Sequence, residues 1–217
     1  LLLGDYAFLL NLGGIANLSF RSGERYFGFD VCPANRVLNM LVKPLGLNMD
    51  ENGQLAASGN LDADLLEALD HLDYYGLPYP KSLANDFGTD LVFPLVAERG
   101  LPAADALHSF STHIAGQVAK HLELISAREQ IELAGQQLLV TGGGALNGFL
   151  VNRLKADLEQ LGIVVVVPDR QLVEYKEAAI MALIGVLRWR EECNVLSSVT
   201  GARKDSIGGA LWLGTDA

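Results

Sequence analysis

The sequence contains few cysteines and no long apolar run. Its 217 residues include only Cys32 and Cys193, which excludes a disulfide framework and predicts two free thiols in a reducing compartment. No stretch reaches the roughly 20 apolar residues that a membrane-spanning helix needs. Residues 1–3 are too few, and lack the basic flank, for a signal peptide. We therefore predict a cytoplasmic protein without membrane contact.

Lysine and arginine are also scarce, which limits the kinds of partner that the protein can bind. Lys and Arg number 16 against 26 Asp and Glu, so the formal net charge is -10 and a nucleic-acid partner is not expected. Half of the residues are apolar, which is enough for a buried core and argues against disorder. The chain begins with Leu rather than Met and soon enters an apparent strand. We therefore expect it to be part of a longer protein.

Two kinds of hydrophobic pattern follow one another along the chain. Short apolar segments separated by turns predict an antiparallel meander, and alternating strands and helices follow later. The predicted strands are residues 6–12, 15–20, 25–30, 137–141, 163–167 and 210–213. The predicted helices are residues 37–45, 62–72, 103–127, 146–161 and 174–190, with a loop at 47–60 and an irregular segment at 73–88. This order predicts an α/β fold with a mixed sheet flanked by helices.

A hairpin with two glycines is a candidate phosphate-binding turn. Asn11, Gly13 and Gly14 lie in the segment 11–17, where glycine leaves backbone N–H groups open to a ligand. Taken alone, the same pattern is more often an ordinary hairpin.

A second glycine turn joins a predicted strand to a predicted helix. Gly142, Gly143 and Gly144, followed by Asn147, allow a flat or anionic group to rest near the helix start. With Asp169 as a ribose-binding acid, the segment is similar to a dinucleotide turn. However, Asn147 stands where the last glycine of that motif belongs. The turn indicates a nucleotide, and not clearly NAD.

Two acidic residues are further candidates for the site. Asp30 ends the third predicted strand, and ligands of α/β sheets bind beyond strand ends. It is a candidate general base or metal ligand, although a carboxylate favoured at a helix N-terminus explains the position equally well. Glu177 is predicted in the first turn of a helix, held firmly because Ala178 and Ala179 permit close packing. A solvated glutamate is the alternative there.

In this order, six segments resemble the anhydro-N-acetylmuramic acid kinase family of the sugar kinase, actin and heat-shock ATPase superfamily. Each segment is weak alone, and together they cover most of the chain. The matching segments are residues 11–17, 28–35, 50–59, 80–82, 142–147 and 177–182. The resemblance implies one C-terminal kinase domain over residues 1–217 with an actin-like ATPase (ribonuclease H-like) fold. The family's N-terminal domain would be absent, so we expect no efficient kinase activity from this chain alone.

The resemblance also implies the chemistry. Asp30 would activate a water that attacks the anomeric carbon of 1,6-anhydro-N-acetylmuramic acid. The freed oxygen would take the γ-phosphoryl group of ATP, giving N-acetylmuramic acid 6-phosphate for peptidoglycan recycling. Glu177 and Asn35 would bind this amino sugar.

The nucleotide side follows from the same resemblance. The hairpin of Asn11, Gly13 and Gly14 would be the second phosphate loop, and the turn at 142–144 with Asn147 would hold the adenosine. Mg²⁺ would neutralise the phosphates, and no protein metal ligand is assigned. Family members are often dimers, so a homodimer is allowed.

One segment departs from the family pattern. The family usually carries Thr-Gly-Pro-Gly-Asn after the catalytic aspartate, whereas residues 31–35 read Val-Cys-Pro-Ala-Asn. Two glycines are replaced, so a ligand approaches the backbone less freely. Two alternatives stay open: a divergent member that binds nucleotide or sugar without phosphorylation, and an NAD-dependent Rossmann oxidoreductase.

Overall fold

A five-stranded mixed sheet forms the centre of the protein. The computed structural model describes residues 4–212 and 214. The strands are β1 (Phe8–Leu12), β2 (Ile15–Ser22), β3 (Arg25–Pro33), β4 (Gln137–Thr141) and β5 (Val164–Val166), in the order β3-β2-β1-β4-β5. The first three strands are antiparallel, and β4 and β5 continue the sheet parallel to β1. This confirms the predicted mixed sheet of an actin-like ATPase domain, and it excludes the parallel sheet of a Rossmann fold.

Helices follow the strands, as the pattern predicted. The helices are α1 (Asn35–Val42), α2 (Gln54–Ser58), α3 (Ala63–Asp70), α4 (Phe93–Ala97), α5 (Ala103–Glu129), α6 (Gly148–Glu159), α7 (Arg170–Trp189) and α8 (Ser197–Thr200). Within the described ranges, no helix is both long and apolar enough to cross a bilayer.

Three predicted boundaries were wrong for local reasons. The predicted loop 47–60 contains α2, because the Asp50 carboxylate accepts hydrogen bonds from the N–H groups of Leu55 and Ala56. Helix α7 begins a turn early, because Asp169 caps it by accepting from Leu172 N–H at 2.8 Å. The predicted strand 210–213 is absent over residues 210–212, and residue 213 lies outside the described residues.

One face of the sheet carries the core. Along β1 the alternate residues Phe8, Leu10 and Leu12 are fully buried, as a half-covered strand requires. Helix α5 lies on this face and buries Leu107, Phe110, Ile114, Val118 and Leu122. Each such side chain stabilises the fold by about 1.5–3 kcal/mol. Polar residues between the core positions therefore lie on the opposite face.

Candidate active site

A row of polar side chains crosses the open face of the sheet near the carboxyl ends of β1, β3 and β4. The strand register places Asn11 beside both Asn17 and Thr141, and Asn17 beside Asp30. Hydrogen bonds join them: Asn11 Nδ2 donates to Asn17 Oδ1 at 3.4 Å, and Asn17 Nδ2 donates to Asp30 Oδ1. We call Thr141, Asn11, Asn17 and Asp30 the polar row. Ligands of open α/β sheets bind beyond this edge.

A β-bulge directly follows Asp30 in β3. Asp30 is paired with Asn17 and Cys32 with Ala16, so Val31 is an extra residue on β3. Asp30 keeps the strand alternation and lies on the open face with Gly28, and the extra residue places Cys32 on the core face. Asp30 therefore lies within β3, three residues before Pro33, rather than at its last residue.

The Asp30 carboxylate is anchored by donors from two parts of the chain. Besides Asn17, the Leu83 N–H donates to Oδ2 at 2.7 Å and the Ser82 hydroxyl donates to it at 3.1 Å. The main chain is also fixed, since Asp30 N–H donates to the Lys81 carbonyl at 3.0 Å. These partners rule out the alternative of a carboxylate at the α1 N-terminus. A carboxylate accepts about four hydrogen bonds, so one lone-pair direction stays open to a water.

An open cavity of about 480 Å³ contains Asp30. Asn17, Lys81 and Ser82 line it, and so do Thr200 and Gly201 from the C-terminal segment. Asn17 lay in the candidate turn 11–17, and Lys81 and Ser82 lay in a segment matched only by resemblance, but none of the three was predicted beside Asp30, and Thr200 and Gly201 were not predicted at all. They reach the cavity through strand pairing and long-range folding, which no local motif reports.

Lys81 brings a cation to this cavity. Its Nζ donates to the Tyr74 carbonyl at 2.9 Å and lies 4.3 Å from the centre of the Tyr74 ring. Burial lowers the pKa of Lys81 to about 8, because the half-buried ammonium is partly removed from water.

A second cavity, of about 540 Å³, contains the predicted adenosine turn. Gly143, Gly144 and Asn147 line it together with Asn35 and Arg170. Asn147 also caps α6, since its Oδ1 accepts from Leu150 N–H at 3.1 Å. Three predicted nucleotide residues thus share one cavity with Arg170, which is ion-paired with Glu174, and with the acidic Asp50 and Glu51.

The three glycines of this turn serve different purposes. A Cβ on Gly142 would lie 2.7 Å from the Leu12 carbonyl, and Gly142 has a positive φ of 81°. A Cβ on Gly144 would lie 2.6 Å from Leu12 Cβ. Gly142 and Gly144 are therefore required by close packing on β1. A Cβ on Gly143 would have its nearest neighbour, Asn35 Nδ2, at 3.6 Å, so the Gly143 backbone remains open to a ligand.

The glycine hairpin packs on the start of α1. The Gly14 carbonyl accepts from Ala34 N–H at 2.9 Å, and the Gly13 carbonyl accepts from Asn35 N–H at 3.1 Å. The Asn35 side chain donates to the Leu12 carbonyl at 2.9 Å. Asn35 therefore joins the hairpin to the second cavity and does not line the Asp30 cavity, and its role as a sugar contact stays a prediction.

The structural expectation for Glu177 was wrong. It lies beyond the first turn of α7, and its side chain is exposed, as are Ala178 and Ala179. It forms no hydrogen bond or ion pair with a residue between 4 and 212, so packing does not hold it. Its role as a sugar contact stays a prediction. The neighbouring Lys176, which was missed, instead reaches the polar row.

The departures at positions 32 and 34 lie in the core. Cys32 and Ala34 are fully buried, so their side chains do not project into either cavity. Burial raises the pKa of the Cys32 thiol far above its ordinary value, so this cysteine is no nucleophile.

The residues do not form a metal cage. Across residues 4–212 and 214, no three His, Cys, Asp or Glu side chains lie close enough to hold a metal ion.

Together, the strand order and the helices flanking the mixed sheet define a domain with the actin-like ATPase fold. The sequence profile of the family described as anhydro-N-acetylmuramic acid kinase matches residues 4–214. The chain belongs to this family.

Individual relatives agree with the profile. Anhydro-N-acetylmuramic acid kinase from Xanthomonas oryzae pv. oryzae is 35% identical over 210 residues, covering 94% of this chain and 53% of the relative. The kinase from Hydrogenovibrio crunogenus is 29% identical over 94% of this chain and 55% of its own length. The chain thus spans about half the length of these curated relatives.

Among solved structures, component A of (R)-2-hydroxyglutaryl-CoA dehydratase from Acidaminococcus fermentans is similar with a TM-score of 0.46 and 16% identity. The alignment covers 82% of this chain and 60% of that one. This similarity is too distant to assign any residue.

Proposed function

We propose that this chain is the C-terminal part of a cytoplasmic ATP-dependent kinase acting on 1,6-anhydro-N-acetylmuramic acid. The reaction opens the 1,6-bridge with water and yields N-acetylmuramic acid 6-phosphate for peptidoglycan recycling. The observation that carries the proposal is the Asp30 carboxylate, anchored by Asn17, Ser82 and Leu83 in an open cavity of a chain from this family.

Asp30 acts as the general base in this proposal. Its free lone pair takes a proton from water while the water oxygen bonds to the anomeric carbon, and the bond from that carbon to the bridge oxygen breaks. The freed oxygen attacks the γ-phosphorus of ATP, and ADP leaves. The three donors to Asp30 keep its carboxylate aimed during these steps.

The second cavity takes the nucleotide. Gly143 offers open backbone, and Arg170, whose guanidinium is ion-paired with Glu174, lines the same cavity as Asp50 and Glu51. Mg²⁺ bound to the phosphates would neutralise charge that develops during phosphoryl transfer. The chain spans about half of its relatives, so we assign the remaining phosphate and sugar contacts to an upstream domain.

ADP release tests this function. The chain, together with whatever its gene encodes upstream, receives ATP, Mg²⁺ and 1,6-anhydro-N-acetylmuramic acid. We expect turnover that falls by about 10²–10⁴-fold in Asp30→Asn, as for loss of a general base. Asp64→Asn, at an exposed position on α3, is the matched control and should retain full activity.

The outcomes separate the alternatives. Absence of turnover with this sugar and its analogues, despite ATP binding, would indicate a binding protein that no longer phosphorylates. Efficient turnover by residues 1–217 alone would contradict the assignment of part of the site to an upstream domain.

A further inference from the structure

Lys176 is a half-buried cation that the proposed reaction does not yet use. Its Nζ lies 2.7 Å from Asn11 Oδ1 and 2.8 Å from Thr141 Oγ1, both in the polar row. It forms no ion pair with any residue of the described ranges 4–212 and 214. Burial lowers its pKa, and the adjacent Glu177 offsets part of this effect. An ammonium placed against two neutral oxygens is costly to bury, so a compensating role is expected.

The Lys176 ammonium and the Asp30 carboxylate fix the orientation of the two asparagine amides that lie between them. A lysine ammonium only donates hydrogen bonds, and an ionised carboxylate only accepts them. Lys176 therefore requires the oxygen of Asn11 to face it, which turns the Asn11 NH₂ group toward Asn17. Asn17 must then accept from Asn11 and direct its own NH₂ group to Asp30. The observed contacts have this polarity at each step.

We propose that Lys176 is a positioning residue for Asp30, acting through the amides of Asn11 and Asn17. The proposal rests on the proposed function, in which Asp30 is the base. Without the ammonium, the Asn11 amide loses the partner that fixes its oxygen, and Asn17 is then ordered only from the Asp30 end. The Asn17 amide would hold the Asp30 carboxylate less firmly, so one of the three anchors of the base would be weakened.

Kinetics of the complete protein test this coupling. Lys176→Met should lower kcat by about 10- to 100-fold, the equivalent of one charge-assisted hydrogen-bond network, and change KM for ATP and sugar by less than about threefold. Lys176→Arg, which keeps a donor, should restore part of the loss. Lys155→Met removes an exposed lysine from α6 and should have no effect.

A double-mutant cycle identifies the route. Asn17→Ala breaks the row directly, so Lys176→Met should add little further loss of kcat in that background. Full additivity of the two losses would overturn the proposal. So would a large rise in KM for ATP with kcat retained, because it would make Lys176 a phosphate contact instead.

A readout without turnover separates this proposal from the proposed function. In NMR hydrogen-exchange measurements on the unaltered protein, the side-chain amides of Asn11 and Asn17 should exchange more slowly than the exposed Asn48 amide. Lys176→Met should accelerate both, and Lys155→Met neither. Fast exchange in the unaltered protein, or no change in Lys176→Met, would overturn the role of Lys176 even if the kinase reaction is confirmed. If the exchange rates behave as expected but the protein shows no kinase turnover, the proposed function is refuted and the role of Lys176 in ordering the polar row is not.

Discussion

Asp30→Asn should destabilise the fold as well as slow the reaction. The loss of stability is expected because hydrogen-bond partners fix the direction of the polar row at both of its ends. If the new NH₂ group lies toward Leu83, it faces the Leu83 N–H, which cannot rotate to accept. If it lies toward Asn17, both asparagines of the row must turn, and the Asn11 NH₂ group then faces the Lys176 ammonium. Either arrangement leaves one donor without an acceptor.

The expected loss in the free energy of unfolding depends on how exposed the Asp30 site is. An unsatisfied buried donor costs about 1–3 kcal/mol, and Asp30 lines an open cavity, so the low end of that range, about 1 kcal/mol, is expected. For a chain of 217 residues this lowers Tm by about 2–4 °C. Urea unfolding of the unaltered protein and of Asp30→Asn measures the difference directly.

The decisive comparison uses the Lys176→Met background. There the row can turn without meeting an ammonium, so the penalty for Asp30→Asn should fall toward zero. An equal penalty in both backgrounds, or a stabilised Asp30→Asn protein, would refute the ordered row. Asp64→Asn controls for removal of a carboxylate from an exposed site.

Three further predictions concern single side chains. A thiol reagent should modify the exposed Cys193 in the folded protein and reach the buried Cys32 only on unfolding, as mass spectrometry of the labelled peptides would show. Between pH 8 and 9.5 the free energy of unfolding should rise more steeply in the unaltered protein than in Lys81→Met. The reason is that the folded state releases the Lys81 proton near pH 8, whereas the unfolded state holds it to about pH 10.4. Urea titrations that give parallel curves of unfolding free energy against pH for the two proteins would contradict this. Asn147→Ala should lose about 1 kcal/mol by removing the α6 cap, and Asn147→Asp should keep it; equal denaturation midpoints for the two variants would argue against the cap.

Local signals predicted the five strands of the sheet better than the helix starts, although they also predicted a strand at 210–213 that is absent over residues 210–212. Strand β4 has the predicted bounds because a short apolar run stops at a glycine turn. Helix α7 was predicted to begin at residue 174, whereas the Asp169 carboxylate caps it and it begins at Arg170; Asp169 had been considered only as the end of a strand and as a ribose ligand. A single aspartate after a strand is compatible with both roles, and only the backbone conformation decides between them.

The partners of Asp30 were beyond the reach of the sequence pattern. Asp30 itself was a candidate because it precedes a break in a strand. Asn17 became its partner through a register that includes a bulge, and Ser82 and Leu83 approach from a segment about fifty residues away. Lys176 was passed over for Glu177, since adjacent helical residues point in different directions and the pattern did not show which one faces the sheet.

The bulge at Val31 also bears on whether the protein has lost catalysis. Without an extra residue, Cys32 would share the face of Asp30, and its side chain would project toward the ligand. Because the bulge adds Val31, Cys32 is paired with Ala16 on the core face, and both side chains are fully buried. The replacement of a family glycine by cysteine thus adds volume to the core and leaves the Asp30 cavity open. The substitution that favoured a non-catalytic relative therefore does not obstruct the base. We expect Cys32→Gly to leave kcat within about twofold and to lower the free energy of unfolding by about 1 kcal/mol or more, because it removes a buried side chain.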